Sequence, residues 1–434
     1  MSEMMQVPDG WEIDNFKSLK IKLIDGDRGE NYPKDDDFFE HGYCIFLSAK
    51  NVTKNGFKFN ELQFINQEKD EKLRKGKLEK EDIVLTTRGT VGNIAYFDNT
   101  INYQHVRINS GMILLRNENK SLKTGYLHTF LKSNIFDYQI ANTVFGSAQP
   151  QLTVKEIEKF FICFPKEKKE QEKIAKILST LDKSIEATNS LIEKEKNIKK
   201  ALMQELLTNG IDKDGHIRTR ATHTYKESEL GLIPDEWEIV RVNKIAKVGS
   251  SKRIFEHEYV SEGVPFYRST EIILKAHNKS VKSEIHISKD KFEEIKASYN
   301  VPQKDDILIS AVGTIGVPYL VKNEQFYFKD GNLLWIQNIK INPNYLYLFV
   351  KSERFQDEIN LIAGGSSQSA LTIEKLSLLK VLYPKSIDEQ KQIAKILTTQ
   401  DKKIETEETS LAKLKELKKG LMNDLLSGKV RVKL

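Results

Sequence analysis

The chain is poor in the residue patterns from which catalytic and metal sites are built. It has two cysteines, Cys44 and Cys163, and eight histidines that form no group at zinc-ligand spacing. The phosphate-loop pattern Gly-x-x-x-x-Gly-Lys-Ser/Thr, the dinucleotide pattern Gly-x-Gly-x-x-Gly and the Gly-x-Ser-x-Gly elbow do not occur. The Asn/Asp-Pro-Pro-Tyr/Phe tetrapeptide of amino-methyltransferases is missing as well. These absences predict a chain that is not an enzyme and that itself holds no cofactor and no metal.

Long apolar runs are also missing. No stretch approaches the ~18 residues that a membrane-spanning helix needs, and the first ten residues are polar, so we expect no membrane span and no signal peptide. Two cysteines without a pairing pattern indicate a reducing compartment, which predicts a cytoplasmic protein. Lys and Arg number 68 against 62 Asp and Glu, a net charge of +6. This small excess fits a nucleic-acid partner but does not establish one.

An internal repeat organises the chain. The segment Glu-Gln-Glu-Lys-Ile-Ala-Lys-Ile-Leu that begins at Glu170 returns as Glu-Gln-Lys-Gln-Ile-Ala-Lys-Ile-Leu at Glu389, a displacement of 219 residues (389 − 170). The same displacement carries Leu202-Met203 onto Leu421-Met422. A chain of 434 residues also exceeds the limit of about 250–300 residues for one hydrophobic core. The sequence therefore predicts a tandem duplication with two similar globular domains.

Each globular half mixes strand and helix patterns. Asp82–Thr86 and Asp306–Ser310 are β-branched runs that precede the turns 89–92 and 313–316, both Gly-Thr-x-Gly, which predicts strand, tight turn and strand in each half. Apolar residues at three- and four-residue spacing predict one helix per half, at Tyr126–Tyr138 and Tyr345–Ile359. The predicted fold class is α+β. We assign the glycines a structural role at positive φ, with an anion-binding nest as the alternative.

Two long helical patterns follow the globular halves. They are free of proline, carry apolar residues in a heptad-like seam, and would each be roughly 60 Å long at 1.5 Å per residue. The predicted boundaries are 1–165 and 231–384 for the globular domains, 166–209 and 385–434 for the helices with the C-terminal tail, and 210–230 for the linker.

The apolar stripe of each long helix predicts a partner, and the other copy supplies one. We predict an antiparallel coiled coil about a pseudo-two-fold axis in which the numbers of facing residues add up to 595. The facing pairs are then Ile174 with Leu421, Leu178 with Leu417, Leu181 with Leu414, Leu191 with Ile404, Ile198 with Leu397 and Leu202 with Ile393. Two polar residues, Glu195 and Gln400, also face each other in this register. A register shifted by one heptad, or helices that each lie only on their own domain, are the alternatives.

The ordered repetition of these motifs resembles the specificity subunit of type I restriction-modification systems. The residues that carry the resemblance are the segments 82–92, 146–153, 230–237, 306–316 and 364–372, together with Glu170-Gln171 followed by Ile174–Leu178 and Glu389-Gln390 followed by Ile393–Leu397. The resemblance covers essentially the full chain.

This resemblance implies two target recognition domains, each of which reads one part of a split double-stranded DNA sequence. The two helices would hold the domains apart and would dock methyltransferase subunits, which bring S-adenosylmethionine. Restriction subunits that use ATP and Mg²⁺ would join the same assembly. Because half-sites one helical turn apart have centres about 34 Å from each other, the length of the helices would set the spacer between them.

Candidate DNA-reading residues come from comparison of the two halves, since scaffold positions should be identical and reading positions should differ. Arginine and glutamine suit bidentate contacts with guanine and adenine, while lysine and serine more often hold phosphate. Exposed polar loop residues at non-identical places make up the candidate set: Ser48, Lys50, Arg88, Arg107, Ser147, Gln149, Gln151, Lys252, Arg253, Arg268, Ser269, Ser366, Ser367 and Gln368.

Two other functions stay open at the level of sequence. One is a coiled-coil scaffold that joins two protein-binding domains, and the other is a relative of a fused restriction and modification enzyme. The absence of catalytic motifs argues against the second.

Overall fold

The backbone divides into two units, each built around its own core. The computed structural model describes residues 7–144, 151–364 and 370–433. Unit 1 holds the described residues up to Asn189 together with those from Thr409 onward, and unit 2 holds Ser190–Glu408. Each unit thus contains one globular domain and parts of both long helices.

In unit 1 the strands and short helices of the globular domain precede the first long helix. Its strands are β1 Trp11–Asn15, β2 Ile21–Asp25, β3 Cys44–Leu47, β4 Val52–Thr53, β5 Gly56–Phe57, β6 Phe64–Ile65, β7 Ile83–Thr86, β8 Ile94–Tyr96, β9 Val106–Ile108, β10 Met112–Asn117 and β11 Phe161–Pro165. Its helices are α1 Gln67–Lys72, α2 Thr124–Leu131, α3 Asn134–Val144, α4 Val154–Ile157 and the start of α5 Lys168–Leu206.

Unit 2 repeats this order with its own insertions. Its strands are β12 Tyr225–Lys226, β13 Ile233–Pro234, β14 Trp237–Arg241, β15 Lys247–Gly249, β16 Tyr259–Val260, β17 Val264–Tyr267, β18 His286–Ile287, β19 Ile307–Ser310, β20 Pro318–Leu320, β21 Tyr327–Phe328, β22 Leu333–Gln337 and β23 Lys380–Pro384. Its helices are α6 Val242–Ile245, α7 Ser269–Ala276, α8 Lys289–Ser298, α9 Pro343–Val350, α10 Glu353–Ala363, α11 Ile373–Leu378 and α12 Ile387–Leu426, which runs on into unit 1.

The sheet topology confirms the duplication. A four-stranded antiparallel sheet has the order β2-β10-β7-β8 in unit 1 and β15-β22-β19-β20 in unit 2. In both units a second sheet contains one parallel pair, β3 with β9 and β17 with β21. Strand β1 pairs with β11 so that Trp11 faces Pro165, and β14 pairs with β23 so that Trp237 faces Pro384. The fold class is therefore α+β with two similar domains, as predicted.

The single helix predicted in each half is a pair of helices. In unit 2 the break falls at Ser352, whose side chain accepts a hydrogen bond from the amide of Phe355 and caps α10. Ser133 stands at the same place in unit 1, and its hydroxyl accepts from the amide of Phe136 at 3.3 Å. Because a serine hydroxyl satisfies the free amides of a helix start, apolar spacing alone could not reveal the break.

The two long helices pack against each other within each unit. In unit 1, Ile174 and Leu178 of α5 share a core with Met422 and Leu425 of α12. In unit 2, Leu206 of α5 shares a core with residues of α12 that include Ile393 and Leu397. These shared cores confirm the predicted helix pairing, and the alternative that each helix lies only on its own domain is wrong. Each helix also packs on a globular domain. The helices span 39 and 40 residues.

Ion pairs fix the antiparallel direction and repeat between the units. In unit 1, Lys418 of α12 lies 2.5 Å from Asp182 of α5. In unit 2, Lys199 pairs with Asp401, which is the same contact displaced by 219 residues at both ends. The helix pairing in the two units is therefore equivalent, as the pseudo-two-fold prediction requires.

The predicted seam was wrong at three positions. Leu191, Ile198 and Leu417 are exposed, at 37%, 38% and 51%, and the residue after each of them takes the inward place. These following residues are Ile192, Lys199 and Lys418, and two of them are lysines. The prediction chose apolar side chains, whereas Lys199 pairs with Asp401 and Lys418 pairs with Asp182, so at these three positions the seam passes through the next residue.

The other predicted pairing residues face inward. Ile174, Leu178, Ile393, Leu397 and Ile404 are buried, and Leu181, Leu202, Leu414 and Leu421 are half-buried. The predicted contact of Glu195 with Gln400 is confirmed, because the amide of Gln400 donates to the carboxylate of Glu195 at 2.7 Å.

The segment predicted as a linker folds onto unit 2. Ile211 and Ile217 form an isolated bridge, and β12 pairs with β13. The guanidinium of Arg218, at 5% exposure, contacts the buried carboxylate of Glu389 at the start of α12. The indole of Trp237 donates to the same carboxylate at 3.1 Å.

Candidate nucleic-acid interface

In unit 1 two candidate readers are brought together beside the turn 89–92. Arg88 leaves the end of β7 and forms an isolated antiparallel bridge with Gln151, and both side chains are exposed. The amide of Leu152 donates to the carbonyl of Thr87 at 3.0 Å, which anchors the loop that carries Gln151. A guanidinium and a carboxamide thus project from adjacent, hydrogen-bonded backbone, as bidentate contacts with base edges require.

Ser48 and Lys50 lie on a short helical turn next to the same place. The side-chain oxygen of Asn51 accepts from the amide of Ser48 at 2.9 Å and from its hydroxyl at 3.0 Å. The carboxamide of Asn93 donates to the carbonyl of Val52 at 2.9 Å and ties this segment to the turn 89–92. Lys50 is exposed, and its ammonium lies 3.1 Å from the equally exposed carboxylate of Glu61, a weak surface pair that a phosphate can replace. The hydroxyl of Ser48 is engaged in its own turn.

In unit 2 the candidates gather at one edge of the second sheet. Arg268 and Ser269 follow β17, and Asp330 comes shortly after β21, which runs parallel to β17. The guanidinium of Arg253 reaches this edge, where its Nε donates to Asp330 at 2.8 Å. Lys252 precedes it in the chain, so four of the predicted residues share one surface.

The cations of this surface differ in how firmly neighbouring side chains bind them. Arg268 donates to Glu271 at 2.6 Å, and although burial raises the pKa of that carboxyl, the guanidinium outweighs it and lowers the pKa below its usual value. The ammonium of Lys252 lies 4.2 Å from the ring centre of Tyr299, which is 58% exposed. Arg253 uses only its Nε for Asp330, whereas Arg268 donates to Glu271 from both Nε and Nη2. Lys252 and Arg253 are therefore the freer donors, and Arg268 is partly committed to the fold.

Arg107 is a correction to the candidate set. It is 5% exposed, and its guanidinium donates to the carboxylate of Asp70, the carbonyl of Lys75 at 2.7 Å and the carbonyl of Leu73 at 3.0 Å. Tyr327, which pairs with Phe266 in unit 2 as Arg107 pairs with Phe46 in unit 1, is fully buried too. Arginine in a strand looked like a reader in the sequence, but this one is buried beside the carboxylate of Asp70, and neighbouring oxygens accept from four of its five N–H groups.

Five predicted residues lie outside the described residues: Ser147, Gln149, Ser366, Ser367 and Gln368.

The repeated Gly-Thr-x-Gly turns are scaffold. Gly89, Gly92, Gly313 and Gly316 have φ of 71°, 95°, 76° and 87°, where side chains other than hydrogen are strained. The residue that ends the preceding strand closes the turn with its hydroxyl: the amide of Asn93 donates to Thr86, and in unit 2 that of Val317 donates to Ser310, each at 2.9 Å. The structural interpretation of the glycines is confirmed.

Sequence comparison missed Arg28, which the strand register reveals as the counterpart of Arg253. Lys22 of β2 faces Arg116 of β10, and Lys247 of β15 faces Gln337 of β22, so these two lysines are equivalent. Six residues after each of them stands an arginine, Arg28 in unit 1 and Arg253 in unit 2. The signal was present as Lys-x5-Arg in both halves, but it is too short to align without the sheet.

The buried reactive groups of the chain belong to the cores. Burial raises the pKa of the Cys44 thiol to about 12 and that of Cys163 to about 11, so both stay protonated at neutral pH. Across residues 7–144, 151–364 and 370–433, no three His, Cys, Asp or Glu side chains are placed to hold a metal ion. Within the same ranges, none of the helices combines the length and the apolar character that crossing a bilayer demands.

Comparison with known proteins places this geometry in a family. The type I restriction modification DNA specificity domain matches twice, at residues 9–196 and 234–416. The MjaVIII specificity subunit of a type I restriction enzyme from Methanocaldococcus jannaschii is 25% identical over 99% of this chain and 95% of its own length.

Two solved structures share the fold. The S subunit of a type I restriction-modification system from M. genitalium has a TM-score of 0.60 and 17% identity over 97% of this chain and 96% of its own. A chain from a structure that concerns complex assembly of the type I R-M system has a TM-score of 0.54 and 16% identity over 98% of this chain and all of its own. With two copies of the domain over most of its length, the chain belongs to the type I restriction modification DNA specificity family.

Proposed function

We propose that this chain is the DNA sequence-specificity subunit of a type I restriction-modification complex and that each domain reads one half of a bipartite target. One observation carries the proposal: the two domains share their scaffold turns but differ in the exposed side chain beside them. Arg88 follows β7 in unit 1, and the matching Val312, 43% exposed, follows β19 in unit 2. Two domains with one scaffold and different reading residues suit two different half-sites.

The candidate side chains support direct readout in the major groove. Arg88 and Gln151 in unit 1 carry the donors and acceptors that distinguish guanine and adenine. Lys50 and Lys252 are suited to phosphate, and contacts of this kind position the domain without reading sequence. Arg253, together with its equivalent Arg28, could serve either role at corresponding places in the two domains.

The chemistry belongs to partners in this proposal. Methyltransferase subunits would bring S-adenosylmethionine, and restriction subunits would bring ATP and Mg²⁺, while this chain supplies recognition without catalysis. Similarity to the MjaVIII specificity subunit and to a chain from a type I R-M assembly supports a subunit role. The domain boundaries that accompany the proposal are 1–165, 166–209, 210–230, 231–384 and 385–434, and the proposed location is the cytoplasm.

Methylation mapping tests the proposal. We expect long-read sequencing of the genome to show a split methylated motif that disappears when the gene is deleted and returns on complementation. Purification with the candidate methyltransferase should give a complex that methylates this motif in vitro. If the isolated chain methylates DNA, it is instead a relative of a fused enzyme. If deletion leaves the methylome unchanged, a protein-binding scaffold becomes the better interpretation.

A further inference from the structure

In unit 2 a carboxylate of α5 lies in the helix seam and is bound by two side chains of α12. Glu195 is 4% exposed, and it accepts hydrogen bonds from the amide of Gln400 and from the ammonium of Lys403, each at 2.7 Å. The same amide also donates to the backbone carbonyl of Glu195 at 3.1 Å. These three residues form the polar set of unit 2.

Unit 1 carries other residues at the equivalent places of the same two helices. The displacement of 219 residues relates Gln400 to Leu181, Lys403 to Ser184, and Glu195 to Leu414. Leu181 and Leu414 are half-buried, and Leu181 packs against the core of unit 1. The hydroxyl of Ser184 donates to the carbonyl of Thr180 in its own helix at 3.0 Å. The seam is therefore polar at this place in unit 2 and apolar in unit 1.

The ion pairs of the seam do not distinguish one long helix from the other. Lys199 of α5 pairs with Asp401 of α12 in unit 2, and Lys418 of α12 pairs with Asp182 of α5 in unit 1. Each helix thus has one lysine and one aspartate at equivalent places, so two copies of the same helix would form the same ion pairs. These contacts fix the direction of pairing but not the partner.

Glu195 distinguishes α12 from a second copy of α5. In a pair of two α5 helices with the same register, Leu181 would stand in the place of Gln400. Ser184 would stand in the place of Lys403, so the carboxylate of Glu195 would lose both donors. A charged group that loses its hydrogen bonds in a buried place opposes association.

Two copies of α12 would be mismatched in the opposite way. Leu414 would stand in the place of Glu195. The amide of Gln400 and the ammonium of Lys403 would then lie against a side chain that accepts no hydrogen bond. Because both helices of such a pair are identical, each mismatch would occur twice. Only the pairing of α5 with α12 satisfies the polar set in one unit and the leucines in the other.

We propose that the polar set makes the seam selective, so that each long helix favours the other helix over a second copy of itself. A polar residue at one seam position can specify which coiled-coil helices pair, because the wrong partner leaves it without hydrogen bonds. A matched pair of helices then always carries one globular domain of each kind. The inference concerns which helices assemble, so it goes beyond the DNA-reading function proposed above and does not depend on it.

Exchange of the residues between the helices of the full-length chain tests the selectivity. The first variant gives α12 the residues of α5: Gln400→Leu, Lys403→Ser and Leu414→Glu. The second variant gives α5 the residues of α12: Leu181→Gln, Ser184→Lys and Glu195→Leu. These variants reproduce, within one chain, the mismatches of an α5 pair and of an α12 pair. The third variant combines all six substitutions, which moves the polar set from unit 2 into unit 1.

The matched control exchanges two exposed residues that also differ between the copies, Asn197→Glu with Glu416→Asn. Hydrogen exchange of the α5 and α12 amides and the urea midpoint of unfolding are measured for each chain. In the first and second variants we expect amide exchange near the substitutions to be about tenfold faster or more, with a lower urea midpoint, because polar groups lose their partners. The third variant should return towards the wild type, and the control should match it.

Two results would overturn the selectivity. One is amide exchange as slow in the first and second variants as in the wild type. The other is a third variant in which the losses of the first two add up, because the identity of each residue, and not its match across the seam, would then determine stability. If the first or second variant does not fold, recovery of the fold in the third supports the proposal, and a third variant that is also unfolded contradicts it.

Discussion

Arg431 binds Glu170 with two hydrogen bonds, from Nε to Oε1 at 2.6 Å and from Nη2 to Oε2 at 2.7 Å. Glu170 lies in the first turn of α5 and is 2% exposed, so the tail beyond α12 neutralises a buried carboxylate of unit 1. Arg431→Ala should lower the stability of unit 1 by about 1–3 kcal/mol, because the carboxylate loses its charged donors. Hydrogen exchange of the β1 and β11 amides measures the change.

The control for this prediction is Lys429→Ala, two residues earlier in the tail. Its side chain is 78% exposed and lies 3.9 Å from Asp424, so its removal should leave exchange in unit 1 unchanged. Equal exchange in Arg431→Ala and Lys429→Ala would show that the ion pair of Arg431 adds no stability.

Arg218→Ala should be more damaging in unit 2. Arg218 and Glu389 are 5% and 8% exposed, and the amide of Ile211 also donates to the same carboxylate at 3.2 Å. Removing one partner of a buried ion pair costs about 3–5 kcal/mol. In Arg218→Ala, hydrogen exchange of the β14 and β23 amides should therefore accelerate. The acceleration should be larger than that of the β1 and β11 amides in Arg431→Ala. A smaller effect than at Arg431 would contradict the role of burial.

These two arginine–glutamate pairs show how far the sequence could predict the structure. The 219-residue displacement located Glu170 and Glu389 at equivalent helix starts, and strand and turn patterns located the scaffold. The displacement could not locate the arginines, because they stand at different distances from the helix ends. Arg218 follows the end of α5 by twelve residues, and Arg431 follows the end of α12 by five. Contacts of this kind depend on how a chain segment returns to the fold, which local periodicity does not encode.

The candidate site was predictable to a similar degree. Arg88 and Gln151 were chosen as exposed loop residues, and they are neighbours in the fold. Arg107 was chosen on the same grounds and is buried, because the sequence does not show that the fold places the buried carboxylate of Asp70 beside it. Residue type indicates what a side chain can donate to, whereas the neighbours decide whether it is free to do so.

Asp182 predicts a pH dependence of helix pairing in unit 1. Burial raises the pKa of Asp182, but Lys132 and Lys418 outweigh it, and the pKa lies below its usual value. A carboxyl with a lowered folded pKa stabilises the fold above its unfolded pKa of about 3.9, and this contribution is lost as pH falls through the folded pKa. Asp182→Asn should therefore cost up to about 1 kcal/mol at pH 7, discounted for partial exposure. Urea melts of variant and wild type should converge as the pH falls through this lowered folded pKa, and a constant difference would contradict the ion pair.

His128 predicts a pH dependence in a higher pH range. Burial, assisted by the charge of Lys132, lowers the pKa of His128 to about 4, and its ring stacks on Tyr96 with centres 5.1 Å apart. Since the unfolded state binds the proton near pH 6.5, stability should fall as pH drops from about 6.5 towards 4. The other copy carries Tyr347 at this position, which suggests His128→Tyr as the variant. In this pH window the variant should take up as much as one proton fewer on unfolding, so its free energy of unfolding should depend less on pH. If the free energy of unfolding changes with pH as steeply in the variant as in the wild type, His128 is not the titrating group.

Arg88 gives the most direct test of reading by one domain. Because Arg88 belongs to unit 1 and Val312 stands at its place in unit 2, Arg88→Ala should relax or change recognition in one half of the methylated motif only. A lost bidentate contact with a base is worth about 1–3 kcal/mol of discrimination, so the altered position should accept further bases. Methylome sequencing of a strain that carries Arg88→Ala reveals the relaxed position. The matched control is Val312→Ala, which removes an exposed apolar side chain from the other domain and should leave that first half unchanged. Equal loss of both halves in Arg88→Ala, or an unchanged motif, would remove Arg88 from the reading surface.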